Sequence, residues 1–172
     1  MPLRLLALCA SLLLLAVPAS GQSPEQWTQE VDYEMDITLH ADNHQYTGHQ
    51  TLTYTNNSPD TLRTVYYHLY FNAFHPESMM AERNRQLPDP DGRIVPRIFN
   101  LGPEERGWHR VRSLTQDGQS VAYDVTDTVM RVDLAEPILP GESSTFEMRW
   151  RAQGPLQTRR SGRDSRGDRI DF

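Results

Sequence analysis

Between residues 33 and 71 the chain alternates apolar and polar side chains with period two. Tyr33, Met35, Ile37 and Leu39 interleave with Glu34, Asp36, Thr38 and His40. After Ala41-Asp42-Asn43-His44, a second run sets Tyr46, Gly48, Gln50, Leu52 and Tyr54 against Thr47, His49, Thr51, Thr53 and Thr55. After Asn56-Asn57-Ser58-Pro59-Asp60, Val65, Tyr67, Leu69 and Phe71 share one parity. A strand puts successive side chains on opposite faces, so this pattern predicts three strands with one face on a core and the other in water. Asp and Asn supply the side-chain-to-backbone bonds of tight turns, and Pro59 cannot donate to a sheet ladder.

The downstream sequence adds strands at short spacing. Asp117-Gly118 is a strong hairpin signal, because both central residues of a type I′ turn need positive φ. It predicts a hairpin over 111–123, with Gln116 facing Gln119 and Leu114 facing Val121. Thr126-Asp127 turns again. Met130, Val132 and Leu134 alternate with Arg131 and Asp133, 137–141 makes a corner, and Phe146, Met148, Trp150 and Ala152 form a closing strand. At least seven strands without intervening helical period predict an all-β fold, an antiparallel β-sandwich.

The stretch 72–109 breaks the pattern. It holds Pro76, Pro88, Pro90, Pro96 and Pro103 and no alternation. Two short helices are expected inside this long insertion. Ser78 caps one through Met79, Met80, Glu82 and Arg83, and Gly102-Pro103-Glu104-Glu105 opens another. The insertion reads as an excursion covering a sheet edge, or as a loop shaping a cleft.

Residues 1–21 read as a secretory signal peptide. Arg4 precedes an apolar run over 5–17, shorter than the ~20 residues a membrane span needs, and small residues follow around Ala19 and Gly21. Residues 22–155 form the β-sandwich domain, with 23–30 a polar lead-in pinned by Trp27. Residues 156–172 form an exposed tail or a linker. The formal charge of −6 argues against nucleic acid or an anionic membrane as the main partner. The only cysteine, Cys9, lies in the leader, so the exported chain has no disulfide and no thiolate chemistry. All basic residues are Arg, which excludes a Schiff-base lysine.

No cluster with catalytic spacing emerges. His40 and His44 have an H-x3-H spacing, but across a turn, where the rings need not converge, and His49 lies beyond it. No His-Glu-x-x-His pair is present. His75-Pro76-Glu77 matches half of a zinc-deaminase signature whose other half needs cysteines. His68 reads as a cross-strand partner on the face away from the core. There is no G-x-S-x-G elbow and no phosphate-binding glycine loop. Glycosidase carboxylates cannot be chosen by spacing alone. Tyr33, Tyr46, Tyr54, Tyr66, Tyr67 and Tyr70 read as packing residues or as a sugar-binding platform. Asn56-Asn57-Ser58 has the form of a glycosylation sequon but reads as a turn before Pro59, and Arg166-Gly167-Asp168 reads as chance in an Arg-rich tail. No catalytic, cofactor-binding or metal residue is assigned.

Taken together, Tyr33-Glu34-Met35-Asp36-Ile37-Thr38-Leu39, Tyr46-Thr47-Gly48, Tyr67-His68-Leu69-Tyr70-Phe71-Asn72, Leu134-Ala135-Glu136-Pro137-Ile138-Leu139-Pro140-Gly141-Glu142 and the strand over 146–152 resemble the N-terminal domain of the aminopeptidase N family of zinc metallopeptidases, above all its secreted or periplasmic bacterial members. The resemblance implies a saddle-like β-sandwich that braces a separate catalytic domain and walls its cleft. It implies zinc and peptide substrate in a full-length parent that removes N-terminal residues. The family's zinc and exopeptidase motifs do not occur in this chain, so no family site residue carries over. The other reading is a free-standing secreted sandwich that binds a glycan or a protein.

Export is expected to remove the leader. Intact mass of secreted material should correspond to a chain beginning near Ser20 or Gln22; a mass that retains Cys9 contradicts the signal-peptide reading.

Overall fold

The computed structural model describes residues 27–158, 162–163 and 170–171. The expected leader, Cys9 and Arg166-Gly167-Asp168 lie outside these residues. Seven longer strands and the two-residue β5 run β1 (Glu30–His40), β2 (Gln45–Thr55), β3 (Leu62–His68), β4 (Trp108–Gln116), β5 (Gln119–Ser120), β6 (Ala122–Thr126), β7 (Val129–Ile138) and β8 (Ser143–Gln153). Two-residue strands β9 (Gly162–Arg163) and β10 (Ile170–Asp171) pair with each other. The architecture is all-β, in antiparallel sheets.

One sheet has five strands in the order β1-β2-β8-β4-β5, and the other has three in the order β3-β7-β6. The registers line the inner face of the large sheet into rows. Tyr33, Leu52, Phe146 and Gln116 form one; Met35, Gln50, Met148 and Leu114 the next; Ile37, Gly48, Trp150 and Val111 a third; Leu39, Tyr46, Ala152 and His109 a fourth. A slip between Val111 and Ser113 lets β4 keep both His109/Val111 and Leu114/Gln116 on this face, as one extra residue in a bulge does. Leu52, Leu114, Phe146 and Met148 pack against Val65, Met130 and Val132 of the small sheet. Phe146, Met130 and Val132 are fully buried, and each such side chain contributes about 1.5–3 kcal/mol of transfer free energy.

The expectation for β1 fails in one respect. Its alternation is real, but its apolar face is not covered: Val31, Tyr33, Met35, Ile37 and Leu39 are 44–52% exposed. β1 is an edge strand, and the opposing sheet is two strands narrower than the one it covers.

Two buried amides join the sheets. Asn56, with no exposed surface, donates to the carbonyls of Asp60 and Ile138 and accepts from the Ser58 amide, the Ser58 hydroxyl and Gln29. The lead-in is held by Gln29 and by the Asn57 bond to the Thr28 carbonyl, whereas Trp27 is exposed. Gln116 accepts from the amides of Ala135 and Glu136 and donates to the Glu136 carbonyl. β7 skips its pairing with β3 between Asp133 and Ile138, so Gln116 takes over backbone groups that the ladder leaves free.

The hairpin at Asp117-Gly118 forms with both residues at positive φ, 48° and 82°. Gln116 pairs with Gln119, the Val121 amide donates to the Leu114 carbonyl as expected, and the chain then crosses to the small sheet as β6. In the insertion, α1 (Met79–Gln86) starts where expected, with the Ser78 side chain accepting from the Ala81 amide. The second expected helix is only a turn at 102–106, closed by Glu105 and Arg106 amides on the Gly102 carbonyl. One-turn 3-10 helices occur instead at Tyr70–Ala73 and Arg97–Asn100. Ala81, Ile94, Ile98 and Leu101 give the insertion a small core of its own.

Asn56→Ala should destabilise the fold by about 2 kcal/mol or more, because it strands the buried carbonyl of Ile138 and removes the acceptor of the Ser58 amide and hydroxyl. A urea midpoint unchanged from the parent chain would remove Asn56 from this structural role.

Candidate functional site

The uncovered half of the large sheet forms the floor of an apolar cleft. Its main cavity is about 720 Å³, and a second of about 370 Å³ continues toward Leu39 and Tyr46. β1 contributes Val31, Tyr33 and Met35; β2 contributes Gln50, Leu52 and Tyr54; β8 contributes Phe146, Met148 and Trp150. These are alternate residues, so the large sheet meets the cavity with its face. From β3, by contrast, consecutive residues Thr64, Val65, Tyr66, Tyr67 and His68 all border it. The small sheet therefore meets the cavity with its edge.

Trp150 and His109 lie between the two cavities and line both. The indole lies against Gly48, where a Cβ would come within 2.2 Å of the ring, so only glycine permits this approach. His109 packs on the indole with ring centroids 4.7 Å apart, and its amide donates to Asn72 Oδ1 at 2.7 Å. Burial pushes the imidazole from its ordinary value of 6.5 down to about 4, so His109 is neutral at pH 7. Burial, with the Tyr33 phenol second, raises the Tyr67 hydroxyl far above the usual tyrosine range. Burial, followed by Tyr70, also raises Tyr33.

Among the described residues, no Asp, Glu or Arg lines either cavity. The buried polar atoms Gln50 Nε2, Tyr67 Oη and His109 Nε2 have no hydrogen-bond partner, and all three residues face the main cavity. The chemistry on offer is hydrogen bonding within an apolar surface. No nucleophile is paired with a base, and no charge is poised to stabilise another.

The structure brings all six tyrosines singled out from the sequence to this cleft, five at the main cavity and Tyr46 at the second. It does not bring the histidines together. His40 Nε2 bonds Thr47 Oγ1 at 3.1 Å, His44 occupies a turn at φ 57°, and His49 pairs in register with Asp36 and Arg149. His75 Nδ1 accepts from the amide of Glu77, a local turn. His68 ends β3 and stacks on Tyr70 at 5.1 Å. Among the described residues no three His, Cys, Asp or Glu side chains gather as metal ligands. Nor is any helix among them long and apolar enough to cross a membrane. Sequence reasoning passed over His109 and Trp150; the available signal was their shared inward parity with Val111 and Ala152.

No protein-family model matches the chain, and no curated protein matches it. Among solved structures it is similar to a two-domain M1 zinc metallopeptidase mutant bound to L-tryptophan, with 18% identity over 76% of this chain and a TM-score of 0.46. The M1 zinc metallopeptidase from Deinococcus radiodurans, and a mutant of it with a Tyr-Ser-Ala substrate, are similar at 18% identity over 77% of this chain, also with a TM-score of 0.46. The chain spans 22% of the length of those proteins.

The buried imidazole sets a pH dependence. Unfolded, His109 takes its proton near its ordinary 6.5; folded, only near 4. Between these values the unfolded state binds more protons, so this group's contribution to stability is full above about pH 6.5 and is lost as pH falls toward 4. The loss is at most roughly 3 kcal/mol. His109→Phe should flatten the urea midpoint between pH 6.5 and 4.5 relative to the parent chain; parallel curves would show that His109 is not held neutral by the fold.

Proposed function

We propose that this chain is the non-catalytic N-terminal β-sandwich of an exported zinc aminopeptidase-like metallopeptidase. It braces the catalytic domain of that enzyme and helps wall its peptide cleft. One observation carries the reading: the sequence pieces that resemble the aminopeptidase N family fall on the strands that build the sandwich. The piece over 33–39 is most of β1, and Tyr46-Thr47-Gly48 opens β2 beside it. Tyr67-His68 ends β3, with Tyr70-Phe71-Asn72 in the 3-10 turn that follows. The piece over 134–142 spans the end of β7 and the corner into β8, and 146–152 is the middle of β8. β1, β2 and β8 are consecutive neighbours in the large sheet. The chemistry of the cleft fits a supporting role, since apolar walls with neutral polar groups bind and pack but do not activate water. Zinc and the general base belong to the parent's catalytic domain in this reading. On this reading the leader expected over 1–21 exports the enzyme to the periplasm or the medium.

The apolar cleft also favours a second reading, a free-standing secreted binding module. The reading frame beyond Phe172 separates the two. An in-frame His-Glu-x-x-His, with one zinc per chain and aminoacyl-anilide hydrolysis by the extended protein, is expected; an authentic stop followed by an unrelated intact gene favours the module. The chain of 172 residues alone should hold well under one zinc after desalting and leave the anilides intact. One tightly held zinc in that chain, with chelator-sensitive hydrolysis, would falsify the assignment of catalysis to a separate domain.

A further inference from the structure

The insertion between β3 and β4 shapes neither cavity. Phe71 and His109, at its two ends, line both, yet none of residues 72–108 lines either. What the insertion meets is the chain that leaves β8. A helix that stops leaves the carbonyls of its last turn without partners. The segment at 102–106 stops after one turn, and four successive carbonyls there accept from the end of β8 and the residues after it. The buried Gln153 donates its Nε2 to the Pro103 carbonyl at 3.0 Å and to the Arg106 carbonyl at 2.8 Å. The Leu156 amide donates to Glu105 at 2.8 Å, and the Arg163 guanidinium to Glu104 at 3.0 Å. Arg97 adds a bond from the insertion to the Gln157 carbonyl.

Apolar packing runs the same way. Ala81, Ile94, Ile98 and Leu101 are the buried core of the insertion, and Leu156 packs against them from outside it. The segment that brings Leu156 there is closed on itself: the Gln157 amide donates to the Arg163 carbonyl, and the Arg163 amide to the Pro155 carbonyl. On its other side the 102–106 turn is tied to the end of the cleft. Directly after it, the Gly107 amide donates to the Phe74 carbonyl at 2.8 Å, and the His109 amide donates to Asn72 Oδ1.

We infer that the insertion is a clasp for the polypeptide leaving the sandwich: α1, the 102–106 turn and the small core close on residues 153–158 as one cooperative unit, which opens without the sandwich core and whose closure orders the Phe71–His109 end of the cleft. Each side is incomplete without the other. A unit of fewer than about 40 residues seldom holds a core alone, and here Leu156 supplies part of it. The carbonyls at 103–106 find their partners in the exit segment, and that segment has left its ladder with β2 and β4 at Gln153. Contiguous units of this kind open at a lower free energy than the whole fold. The position of the exit polypeptide and the order of the cleft end are therefore linked through the insertion. The link holds whether or not a catalytic domain follows; where one does, the clasp fixes the direction in which the chain leaves for it.

Native-state amide exchange by NMR on the chain of 172 residues, in low urea, tests the clasp. The amides of Ile98, Gly107, His109 and Leu156, whose acceptors are on Ile94, Phe74, Asn72 and Glu105, should converge on one rate, well above the rates of Phe146 and Met148 in β8. Leu156→Ala should speed Ile98, Gly107 and His109 by roughly 10-fold or more and leave Phe146 and Met148 unchanged. Ile98→Ala should speed Leu156 in return, because a coupling free energy is the same from either side. Arg163→Ala removes only an exposed bond to the Glu104 carbonyl; it should act in the same direction and serves where a core variant does not fold. Acceleration confined to 155–158 in Leu156→Ala would show a segment that merely rests on the insertion. Unchanged exchange at His109 would show that the clasp does not reach the cleft, and equal acceleration of Phe146 and Met148 that there is no separate unit. Each of these results overturns the inference.

Discussion

The packing of Leu52, Phe146 and Met148 on Val65, Met130 and Val132 is the contact on which the rest of this molecule depends. It is a contact between sheets of unequal width. Sheet pairs align through their inner faces, and an apolar face without a facing layer stays wet. Here the overlap is centred on Leu52 of β2, Phe146 and Met148 of β8 and Leu114 of β4, all buried, and fades toward β1, where every residue of the strand is exposed. The cleft is thus a direct consequence of strand count, and its apolar character follows from the same alternation that makes the centre a core.

Polar groups fix how the layers sit. Hydrophobic burial is non-directional, so it does not choose among nearby offsets of one sheet over the other. Asn56 and Gln116 do, because each satisfies backbone groups at defined positions on strands of the small sheet. Gln116 serves the stretch of β7 between Asp133 and Ile138, and Asn56 serves Ile138 itself. Within the large sheet, Asp117 holds Gln116 in place, accepting from the Thr145 amide and the Ser144 hydroxyl, and Ser144 in turn accepts from Gln116. These bonds cluster at the end of the sandwich near the 137–141 corner. At the opposite end, around Leu39, Tyr46 and His109, Asn72 accepts from the His109 amide and donates to the Asp127 carbonyl, beside ring packing and the second cavity.

Strand existence was legible because period two is a local property. β1, β2 and the closing β8 are where alternation puts them, and the Asp117-Gly118 turn has the backbone that its residues require. Burial was less legible, because it depends on what lies opposite. Met35 and Met148 occupy the same row and the same parity, yet one is 44% exposed and the other 2%. The turn cluster at Asn56 announced a break but not a buried hub, since Asn has the same turn chemistry in either place. The 102–106 segment carried first-turn helix signals with no apolar period behind them, and it closed as a single turn. Tyr66 and Tyr67 have opposite parity, yet both reach one cleft, because β3 meets it edge-on.

The third row of the large sheet shows how a single glycine shapes the floor. Ile37, Gly48, Trp150 and Val111 are neighbours across four strands, and a side chain at Gly48 would occupy the space that the indole takes. With no Cβ there, Trp150 lies across β2 toward β1 instead of standing up into the cavity. The ring then gives His109 an aromatic surface to pack on, 4.7 Å away, and the pair divides the cleft into its two cavities. A larger residue at 48 would displace the indole and with it the surface on which His109 packs. The floor between the two cavities and the packing of His109 therefore trace to the same position in β2.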